Sequence, residues 1–383
     1  MTLEDLSLHM HIVQILPELN EGGVERGVVE MNRELVRRGV VSTVISRGGR
    51  LAPEIDADGG RHVELDVCGK NMLTFPLRVR RLRRALVEIG PDLVHVRSRL
   101  PAWLLRFANT RTGWPVVTTV HGFNSVNPYS RIMTRADRVI CVSHAVKAHI
   151  QKAYGTPEEK LRVIHRGLDA AVFDPARLDL AFIERFRREQ GLIGRFVVTS
   201  VGRITPLKDY ETFIRAVAAA RLKTPEIVGL IVGGARADRR GYENRLVALA
   251  AELGVADAIR FAGSQRKIAE IDHLSDVVVS CSRKPESFGR SLVEALAMET
   301  PVIATRHGGA VEIVREGIDG YLFDPGDVAA LAKAIGTVRR RTFVNLRADA
   351  LTRFAMEKMV ERTLAVYQEA LAGQWEGKKT VAV

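Results

Sequence analysis

The chain has 383 residues, more than one hydrophobic core usually organises, so its length predicts two domains. With 46% hydrophobic and 27% charged residues and no run of about 18 apolar residues, the composition is typical of a globular protein and excludes a membrane-spanning segment. Three widely separated cysteines, Cys68, Cys141 and Cys281, exclude a disulfide framework and a metal knuckle and favour a reducing cytosol. Residues 3–5 read Leu-Glu-Asp, which lacks the basic start of a secretory signal peptide.

The first half of the chain alternates short apolar runs, rich in β-branched residues, with longer segments of helical periodicity. Because the strands are apolar throughout, this alternation predicts a parallel sheet covered by helices on both faces. The predicted strands of this half are residues 11–16, 40–46, 62–66, 93–96, 116–120, 139–142 and 162–165, and the clearest helices are residues 25–38 and 76–89.

Gly22 and Gly23 follow the first predicted strand and open the first predicted helix. Paired glycines let the backbone approach a ligand closely and leave helix N–H groups free for an anion, although a plain tight turn explains them equally well. A dinucleotide site needs a third glycine and an acid after the second strand. Residues 46–50 read Ser-Arg-Gly-Gly-Arg instead, so NAD is disfavoured.

Residues 67–152 carry the net charge of +12, because they hold fifteen lysines or arginines and three acids. Within them, Leu77, Leu82, Ala85 and Leu86 stand among five arginines, which at helical spacing gives one apolar face and a basic remainder. Such a surface suits anionic lipid headgroups or an acidic acceptor, and a merely solvated helix is the equal alternative. Nucleic acid is disfavoured, since few aromatic residues and no recognised binding motif accompany the charge.

His121 stands just beyond the predicted strand 116–120 and before Gly122. Ligands of parallel sheets bind at this carboxyl edge, which makes His121 a candidate site residue, although most single histidines in such positions are structural. His95 and His165 also lie near strand ends and are predicted to pack or to hydrogen-bond.

The second half repeats the alternation, and the polar segment 174–194 is the predicted joint between the halves. The pattern therefore predicts an α/β protein of two Rossmann-like, doubly wound domains that face each other across a cleft. The predicted strands of this half are residues 196–202, 228–232, 259–261, 277–280 and 302–304, and the helices include residues 210–222, 242–253, 290–297 and 328–340.

Arg203 and Lys208 follow the first strand of the second half. Two cations on one turn at a strand's carboxyl end suit a diphosphate, whose departing charge they would neutralise. The alternative is a pair of surface cations that bind Asp209 or Glu211.

Residues 285–297 place Glu286 and Glu294 on either side of a glycine-containing turn that leads into an apolar helix. The helix N-terminus offers N–H groups to an anion, while the carboxylates suit hydroxyls of a sugar or ribose. A capped surface helix with two ordinary acids is the alternative. A further glycine pair, Gly308-Gly309, follows the strand 302–304.

Taken in order, these residues resemble the family 4 glycosyltransferases, a large retaining group with the GT-B fold of two Rossmann-like domains. The resemblance extends from about residue 9 to about residue 372. It depends on Gly22-Gly23-Val24-Glu25, His121-Gly122, Val142-Ser143, Gly167-Leu168-Asp169 with Phe173, Gly202-Arg203 with Lys208, Glu286 through Glu294, Pro301-Val302-Ile303-Ala304, and Gly308-Gly309 with Glu312.

The resemblance implies a role for each site residue. Arg203 and Lys208 would hold the diphosphate of the donor, and Glu294 would bind the ribose hydroxyls. Glu286 would bind hydroxyls of the donor sugar, and His121 would lie beside that sugar at the reaction centre. The remaining donor-binding residues would act through the backbone: Gly23 by close approach, and Phe288, Gly289 and Leu292 through N–H groups that face the phosphates and sugar.

The resemblance also implies the organisation of the chain. An N-terminal Rossmann-like domain on the acceptor side would cover residues 1–175, and a C-terminal Rossmann-like domain on the donor side would cover residues 176–353. Residues 354–383 would form a helix that crosses back to the first domain, followed by a tail. Two residues depart from the family pattern: Arg166 precedes Gly167 where asparagine is frequent, and Glu299 stands where glycine is common.

The expected function is retaining transfer of a sugar from a UDP-, GDP- or ADP-sugar to a lipid-linked or polysaccharide acceptor, such as a lipopolysaccharide or another cell-envelope glycan. No metal and no other cofactor is expected. The expected location is the cytoplasm, with peripheral contact at the anionic cytoplasmic face of the inner membrane. Two alternatives remain. One is another GT-B enzyme, either a soluble sugar-phosphate glycosyltransferase or a nucleotide-sugar epimerase, and the other is a non-catalytic subunit that binds nucleotide-sugars.

Overall fold

The structure, a computed structural model, describes residues 10–20, 22–235 and 240–380. Glu21 of the first glycine loop, and residues 3–5, on which the expectation about a signal peptide depends, lie outside the described residues. Among the described residues, no helix is both long and apolar enough to cross a membrane. The chain divides into two compact units, Met1–Arg166 with Glu357–Val383, and Gly167–Met356.

The first unit is built on a seven-stranded parallel sheet. Its strands are β1 (His11–Ile15), β2 (Val41–Ser46), β3 (Arg61–Glu64), β4 (Leu93–Val96), β5 (Val116–Val120), β6 (Arg138–Cys141) and β7 (Leu161–Val163). They lie in the order β3-β2-β1-β4-β5-β6-β7. The helices between them are α1 (Gly23–Arg37), α2 (Ala52–Ala57), α3 (Phe75–Ile89), α4 (Arg99–Ala108) and α5 (His144–Tyr154). The predicted strands of this half are confirmed, with ends shifted by at most two residues.

The start of α3 differs from the predicted amphipathic pattern. Leu82 is fully buried as predicted, but Leu77 is 48% exposed and Arg78 takes the buried position. The guanidinium of Arg78 lies over the Phe75 ring, 5.8 Å from its centroid, and donates from Nη2 to the Asn71 carbonyl at 2.8 Å. The prediction was wrong here because Asn71, which precedes the helix, and Phe75, its first residue, supply these contacts, and helical spacing does not report them.

The second unit is built on a six-stranded parallel sheet. Its strands are β8 (Phe196–Val201), β9 (Ile227–Val232), β10 (Ile259–Phe261), β11 (Val277–Ser280), β12 (Val302–Thr305) and β13 (Gly320–Phe323). They lie in the order β10-β9-β8-β11-β12-β13. The helices are α6 (Leu180–Glu189), α7 (Tyr210–Arg221), α8 (Arg240–Glu252), α9 (Ile268–Leu274), α10 (Arg290–Ala297), α11 (Ala310–Ile313), α12 (Val328–Val338) and α13 (Leu346–Phe354).

Among the described strands, β13 is the one that the sequence pattern did not predict. It begins at Gly320, which has a φ of 151° that glycine adopts readily. A Cβ at this position would overlap the carbonyl oxygen of Val302 on β12. As an edge strand it has two partly exposed residues at its centre, Tyr321 and Leu322. It therefore lacks the continuous apolar run by which the other strands of this sheet were found.

The core of each unit lies on both faces of its sheet. In the first unit Ile12, Val13 and Val94 are fully buried although neighbouring residues of one strand face opposite sides. In the second unit every residue of β9 and β11 is buried. Burial on both faces explains why these strands appear in the sequence as uninterrupted apolar runs.

The division between the units lies at residues 166/167 and 356/357, whereas the sequence placed it at 175/176 and 353/354. The reason is backbone pairing. The Leu168 N–H donates to the Phe354 carbonyl at 2.8 Å, and the Met356 N–H donates to the Leu168 carbonyl at 3.1 Å. The predicted joint, residues 174–194, lies inside the second unit and contains α6.

The C-terminal helix (Met356–Thr380) packs within the first unit. Tyr367 is fully buried, with its hydroxyl 2.6 Å from His95 Nδ1. Glu369 accepts hydrogen bonds from Arg138 Nε at 2.9 Å and Arg162 Nη2 at 2.7 Å. The predicted return of the last helix to the N-terminal domain is confirmed.

The turn after α10 explains one departure from the family pattern. Glu299 has a φ of 64°, a left-handed conformation that glycine adopts without the steric penalty of a side chain. A non-glycine residue there costs about 1 kcal/mol. The departure is therefore a local cost in the backbone, as expected.

Candidate functional site

In the second unit, the loop after β8 is fixed by the close approach of two glycines. Gly202 and Gly233 have φ values of 155° and 150°, and a Cβ on Gly233 would overlap the carbonyl oxygen of Gly202. The same carbonyl accepts a hydrogen bond from the Tyr210 hydroxyl at 2.6 Å. These contacts fix the backbone from which Arg203 and Lys208 project.

Arg203 and Lys208 differ in their surroundings. Arg203 is exposed and has no hydrogen-bond or ion-pair partner within the part of the chain that the structure describes. Lys208 Nζ lies 2.5 Å from Glu286 Oε1. The alternative in which both are surface cations bound to Asp209 or Glu211 does not hold, because these acids accept hydrogen bonds from other side chains. One cation is thus available to a ligand, and the other is joined to a second predicted site residue.

Glu286 is partly buried and closely held. Its Oε1 accepts hydrogen bonds from the Ser282 hydroxyl and, at 3.4 Å, from the Ser280 hydroxyl, in addition to the contact with Lys208. Burial alone would raise the pKa of Glu286, but the Lys208 charge and the three hydrogen bonds outweigh it and lower the pKa. Glu286 is therefore ionised at neutral pH. The two serines were missed by sequence reasoning, although both lie at the end of β11, where such partners are expected.

Gly308 and Gly309 support the Glu286 loop. A Cβ on Gly308 would overlap the carbonyl oxygen of Glu286, and one on Gly309 would overlap that of Phe288. The Gly309 N–H also donates to the Glu286 carbonyl at 2.8 Å. The role of this glycine pair is thus close backbone packing, which positions the carboxylate.

Phe288, Gly289 and Leu292 form the start of α10. The buried Phe288 ring packs edge-on against Phe354, with centroids 5.6 Å apart. The Gly289 N–H has no hydrogen-bond partner among the described residues, whereas the Leu292 N–H donates to the Gly289 carbonyl at 3.0 Å. Of the N–H groups predicted to face a ligand, that of Gly289 is available and that of Leu292 is engaged within the helix.

Glu294 lies one turn into α10. Its Oε1 accepts a hydrogen bond from Arg290 Nε at 3.3 Å. The fully buried Asp272 lies near enough for the Glu294 charge to act on it, and burial first and then that charge raise the pKa of Asp272 well above its usual 3.8. Neither carboxyl oxygen of Asp272 has a partner in the described part of the chain. Sequence reasoning missed Asp272, because an acid within a helical pattern looks solvent-facing.

The first unit holds the two other predicted site residues, and Arg166 touches both. Arg166 Nη1 lies 3.4 Å from His121 Nδ1, and Arg166 Nη2 donates to the Gly23 carbonyl. Burial, followed by the charges of Arg166 and Arg97, holds the pKa of His121 well below its usual 6.5. His121 is therefore neutral at neutral pH. The departure noted at Arg166 thus places a cation directly at the predicted reaction centre.

Sequence reasoning missed two polar side chains near His121, those of Gln14 on β1 and Arg97 just after β4. Arg97, just after β4, is 8% exposed and donates from Nη2 to the Oε1 of the fully buried Gln14 on β1 at 2.5 Å. His95, which was predicted to pack or hydrogen-bond, does so through Tyr367 and through Thr119 Oγ1 at 2.7 Å. A lone arginine at a strand end carries little signal in the sequence.

The predicted site residues therefore form two groups. Gly23 and His121 lie in the first unit, joined through Arg166. The second unit holds the remaining predicted residues, Arg203, Lys208, Glu286, Phe288, Gly289, Leu292 and Glu294, along the loop after β8 and the loop that leads into α10.

Family models match both halves of the chain. The model of glycosyl transferases group 1 matches residues 182–348, and the model of glycosyltransferase family 4 matches residues 21–172. The D-inositol 3-phosphate glycosyltransferase of Acidothermus cellulolyticus is 32% identical to this chain and covers 96% of this chain and 90% of its own length.

Solved structures match over almost the whole chain. A glycosyltransferase from Rickettsia africae superposes with a TM-score of 0.85 at 30% identity and covers 95% of this chain and 99% of its own. The Anabaena protein HepE, solved in complex with UDP-glucose, has a TM-score of 0.80 at 24% identity. The match covers 95% of this chain and 100% of the HepE chain. The predicted GT-B fold with two Rossmann-like domains is confirmed.

Proposed function

Because the chain belongs to the family 4 glycosyltransferases, we propose that it transfers a sugar from a nucleoside-diphosphate-sugar to an acceptor hydroxyl, with retention at the anomeric carbon. The observation that carries the proposal is the loop after β8. On it, Arg203 is exposed and unpaired within the described residues, while Lys208 holds an ionised Glu286. A free cation suits a diphosphate, and a fixed carboxylate suits the hydroxyls of a sugar.

Departure of a nucleoside diphosphate concentrates negative charge on its terminal phosphate as the glycosidic bond breaks. Arg203 can grip two phosphate oxygens at once, and the available Gly289 N–H adds a donor at a helix start. Donors fixed in advance at the point where charge develops each contribute about 3 kcal/mol of transition-state stabilisation. In the proposed reaction, the departing phosphate accepts the acceptor proton on the same face of the sugar, which gives retention.

His121 has a defined part in this scheme. Since its pKa is held well below 6.5, the ring is neutral at neutral pH and offers a hydrogen bond without a charge. Arg166 donates to Nδ1, so the ring proton resides on Nε2. A neutral donor of this kind suits a hydroxyl of the donor sugar.

The donor proposal is tested by a thermal-shift panel with UDP, GDP, ADP, CMP and NAD on the wild type, Arg203→Ala and the control Arg215→Ala. Arg215 is an exposed arginine on α7 outside the loop. A nucleoside diphosphate should stabilise the wild type and the control and lose its effect in Arg203→Ala, because ligands that bind the folded state raise its apparent stability. A shift with NAD alone would refute the proposal.

Activity assays with the matching UDP-, GDP- or ADP-sugar then separate the alternatives. Retention predicts that the anomeric configuration of the product equals that of the donor, which NMR reports, and metal independence predicts full activity in a chelator. Turnover of the donor sugar to its epimer would identify an epimerase. Donor binding without turnover on any acceptor tested would favour a non-catalytic subunit.

The acceptor has two candidates. The sequence predicted a lipid-linked or polysaccharide acceptor, whereas the relative from Acidothermus cellulolyticus is named for D-inositol 3-phosphate. The relative favours a small phosphorylated acceptor. We propose to assay inositol and hexose phosphates beside lipid-linked glycans, with the donor that the thermal-shift panel identifies.

The apolar surface before α3 supports peripheral contact with an anionic membrane at its cytoplasmic face. Met72 and Leu73 are 75% and 90% exposed, and Arg80 and Arg81 on α3 are exposed and unpaired within the described residues. Exposed apolar side chains beside cations suit the headgroup region of a membrane.

Sedimentation with vesicles tests this contact. The protein should bind vesicles with anionic lipid, and salt should weaken the binding, since the attraction is screened. Leu73→Ser should bind less than the wild type, and Leu222→Ser, an exposed leucine of the second unit, should bind as the wild type does. Equal binding to neutral vesicles would contradict the electrostatic part of the proposal.

A further inference from the structure

Four polar side chains of the first unit lie at the carboxyl edge of the sheet, and three of them share one face. Gln14 on β1 is in register with His95 on β4, and His95 is in register with Val117 on β5. Side chains two residues apart on a strand face the same side, so Gln14, Arg97 and His121 lie on the face of His95. We name Gln14, Arg97, His121 and Arg166 the basic cluster.

Arg97 is a buried charge without a counter-ion. It is 8% exposed, and its one side-chain hydrogen bond within the described residues goes to the neutral Gln14. Its Nε has no partner. Burial lowers the pKa of Arg97, but a guanidinium stays charged in proteins. Uncompensated buried charge is costly, so a ligand that supplies the opposite charge would stabilise the chain at this position.

The other members of the basic cluster also present donors. Since Arg97 can only donate, it fixes the Gln14 Oε1 as the acceptor, and the buried Gln14 Nε2 is then a donor without a partner in the described part of the chain. The same reasoning at His121 leaves its Nε2–H as a buried donor without a partner. Arg97 Nε and Gln14 Nε2 thus offer two donors without a partner among the described residues and define a place for an oxyanion, while the His121 Nε2–H remains for the donor sugar.

We infer that the basic cluster binds an anionic group of the acceptor, a phosphate or carboxylate, through Arg97 and Gln14 in the first unit. The inference rests on the proposed function and adds the chemical class of the acceptor. Arg203 and the Gly289 N–H already offer the diphosphate of the donor its partners in the second unit, so the basic cluster is left for a second anion.

Gly27 on α1 makes room for the fourth member of the cluster. A Cβ on Gly27 would overlap the guanidinium of Arg166. The space left by this glycine is thus filled by the arginine that holds His121 Nδ1. Gly27→Ala therefore displaces the guanidinium without removing its charge from the chain.

The test is a thermal-shift titration of the full chain with inorganic phosphate, in saturating UDP so that the donor site is occupied. Phosphate should stabilise the wild type, and Arg97→Gln should weaken its binding at least about tenfold, since a charge-assisted hydrogen bond is lost. Arg106→Gln, which removes an exposed arginine of α4, should bind phosphate as the wild type does. Gly27→Ala should weaken binding less than Arg97→Gln does.

Three results would overturn the inference. Equal phosphate binding by Arg97→Gln and Arg106→Gln would show that the anion does not contact Arg97. Loss of the UDP shift in Arg97→Gln would assign the cluster to the diphosphate of the donor. An Arg97→Gln chain clearly less stable than the wild type without phosphate would show a structural residue, because removal of an uncompensated buried charge should not destabilise.

Two further probes distinguish the source of the anion. Competition with phosphate by a soluble hexose phosphate identifies a small phosphorylated acceptor, and competition by vesicles of a phosphate-bearing lipid identifies a lipid-linked one. Either supports the inference. Because phosphate binding requires no sugar transfer, a chain that binds phosphate through Arg97 and transfers no sugar refutes the proposed function alone.

Discussion

The two units treat buried charge differently. In the second unit, Lys208 and Glu286 neutralise each other at 2.5 Å, and burial raises the pKa of Asp272, which therefore holds its proton to a higher pH. In the first unit, Arg97 has no acid beside it among the described residues and cannot give up its proton. A carboxyl group can adapt to burial by becoming neutral, whereas a guanidinium needs a partner. These buried charges of the second unit are thus compensated without a ligand, whereas the buried charge of Arg97 in the first unit is not.

The largest effects are expected at the Lys208–Glu286 pair. Lys208→Met should lower turnover at least about tenfold, a loss of about 1.4 kcal/mol or more, because Glu286 loses the cation that fixes it for the hydroxyls of the donor sugar. It should also lower the free energy of unfolding by about 1–2 kcal/mol, since Glu286 is left partly buried without its cation. Steady-state kinetics and denaturant unfolding measure the two losses.

The double variant Lys208→Met with Glu286→Gln sharpens the comparison. If the pair is self-compensating, the double variant should recover most of the stability lost in the single variant and none of the activity. Lys267→Met is the control, because the Lys267–Asp179 pair at 2.6 Å is exposed and such pairs contribute little. A double variant as unstable as Lys208→Met would contradict internal compensation.

The next effect concerns the loop that carries Glu286. Gly309→Ala should destabilise the protein by about 1–3 kcal/mol and weaken donor binding, because the new Cβ overlaps the Phe288 carbonyl oxygen. Gly336→Ala on α12 is the control, and it should stabilise the protein instead. Only the tip of Arg340 lies near the new Cβ, and alanine favours a helix over glycine by up to about 1 kcal/mol. Thermal unfolding of both variants, with and without donor, would show whether close packing at Gly309 positions the carboxylate.

Much of the fold was predictable because its signal is local. Apolar runs that are buried on both faces identify central parallel strands, and those runs predicted the strands of both sheets except the edge strand β13. Residues at the carboxyl ends of strands were equally visible, which is how His121, Arg203 and Lys208 were found.

What could not be predicted depends on contacts between segments that are distant along the chain. The pairing of Lys208 with Glu286 joins residues 78 positions apart, and the hydrogen bond of Arg97 to Gln14 joins residues 83 apart. The burial of Arg78 in place of Leu77 depends on a contact of shorter range, with Asn71 in the segment before α3, which helical spacing also does not report. Composition and spacing report which groups are present at an edge but not which of them are already paired.

A smaller effect is expected at Asp272, where the second unit tolerates a buried acid. The pKa of Asp272 in the folded protein lies above the unfolded value of 3.8. The contribution of its carboxyl group to stability is therefore fully present below pH 3.8 and is lost as the pH rises through the folded pKa. Asp272→Asn should therefore be about 1 kcal/mol or more stable than the wild type at pH 8 and should lose that advantage near pH 4. The control Asp257→Asn removes an exposed acid and should change stability little at either pH.

His121 gives the smallest effect and the most direct test of the basic cluster's charge. The pKa of His121 in the folded protein is below the unfolded value of 6.5. Titration of the ring therefore leaves the stability of the protein unchanged above pH 6.5 and reduces that stability as the pH falls from 6.5 toward the folded pKa. The slope is at most about 1.4 kcal/mol per pH unit, and His95, whose pKa is also lowered, adds its own share. His121→Gln should flatten the pH profile of thermal unfolding below 6.5. Bound phosphate should flatten it too, because an anion beside the ring offsets the charges of Arg97 and Arg166. A profile that phosphate leaves unchanged would place the anion elsewhere and make the two units alike in their compensation of charge.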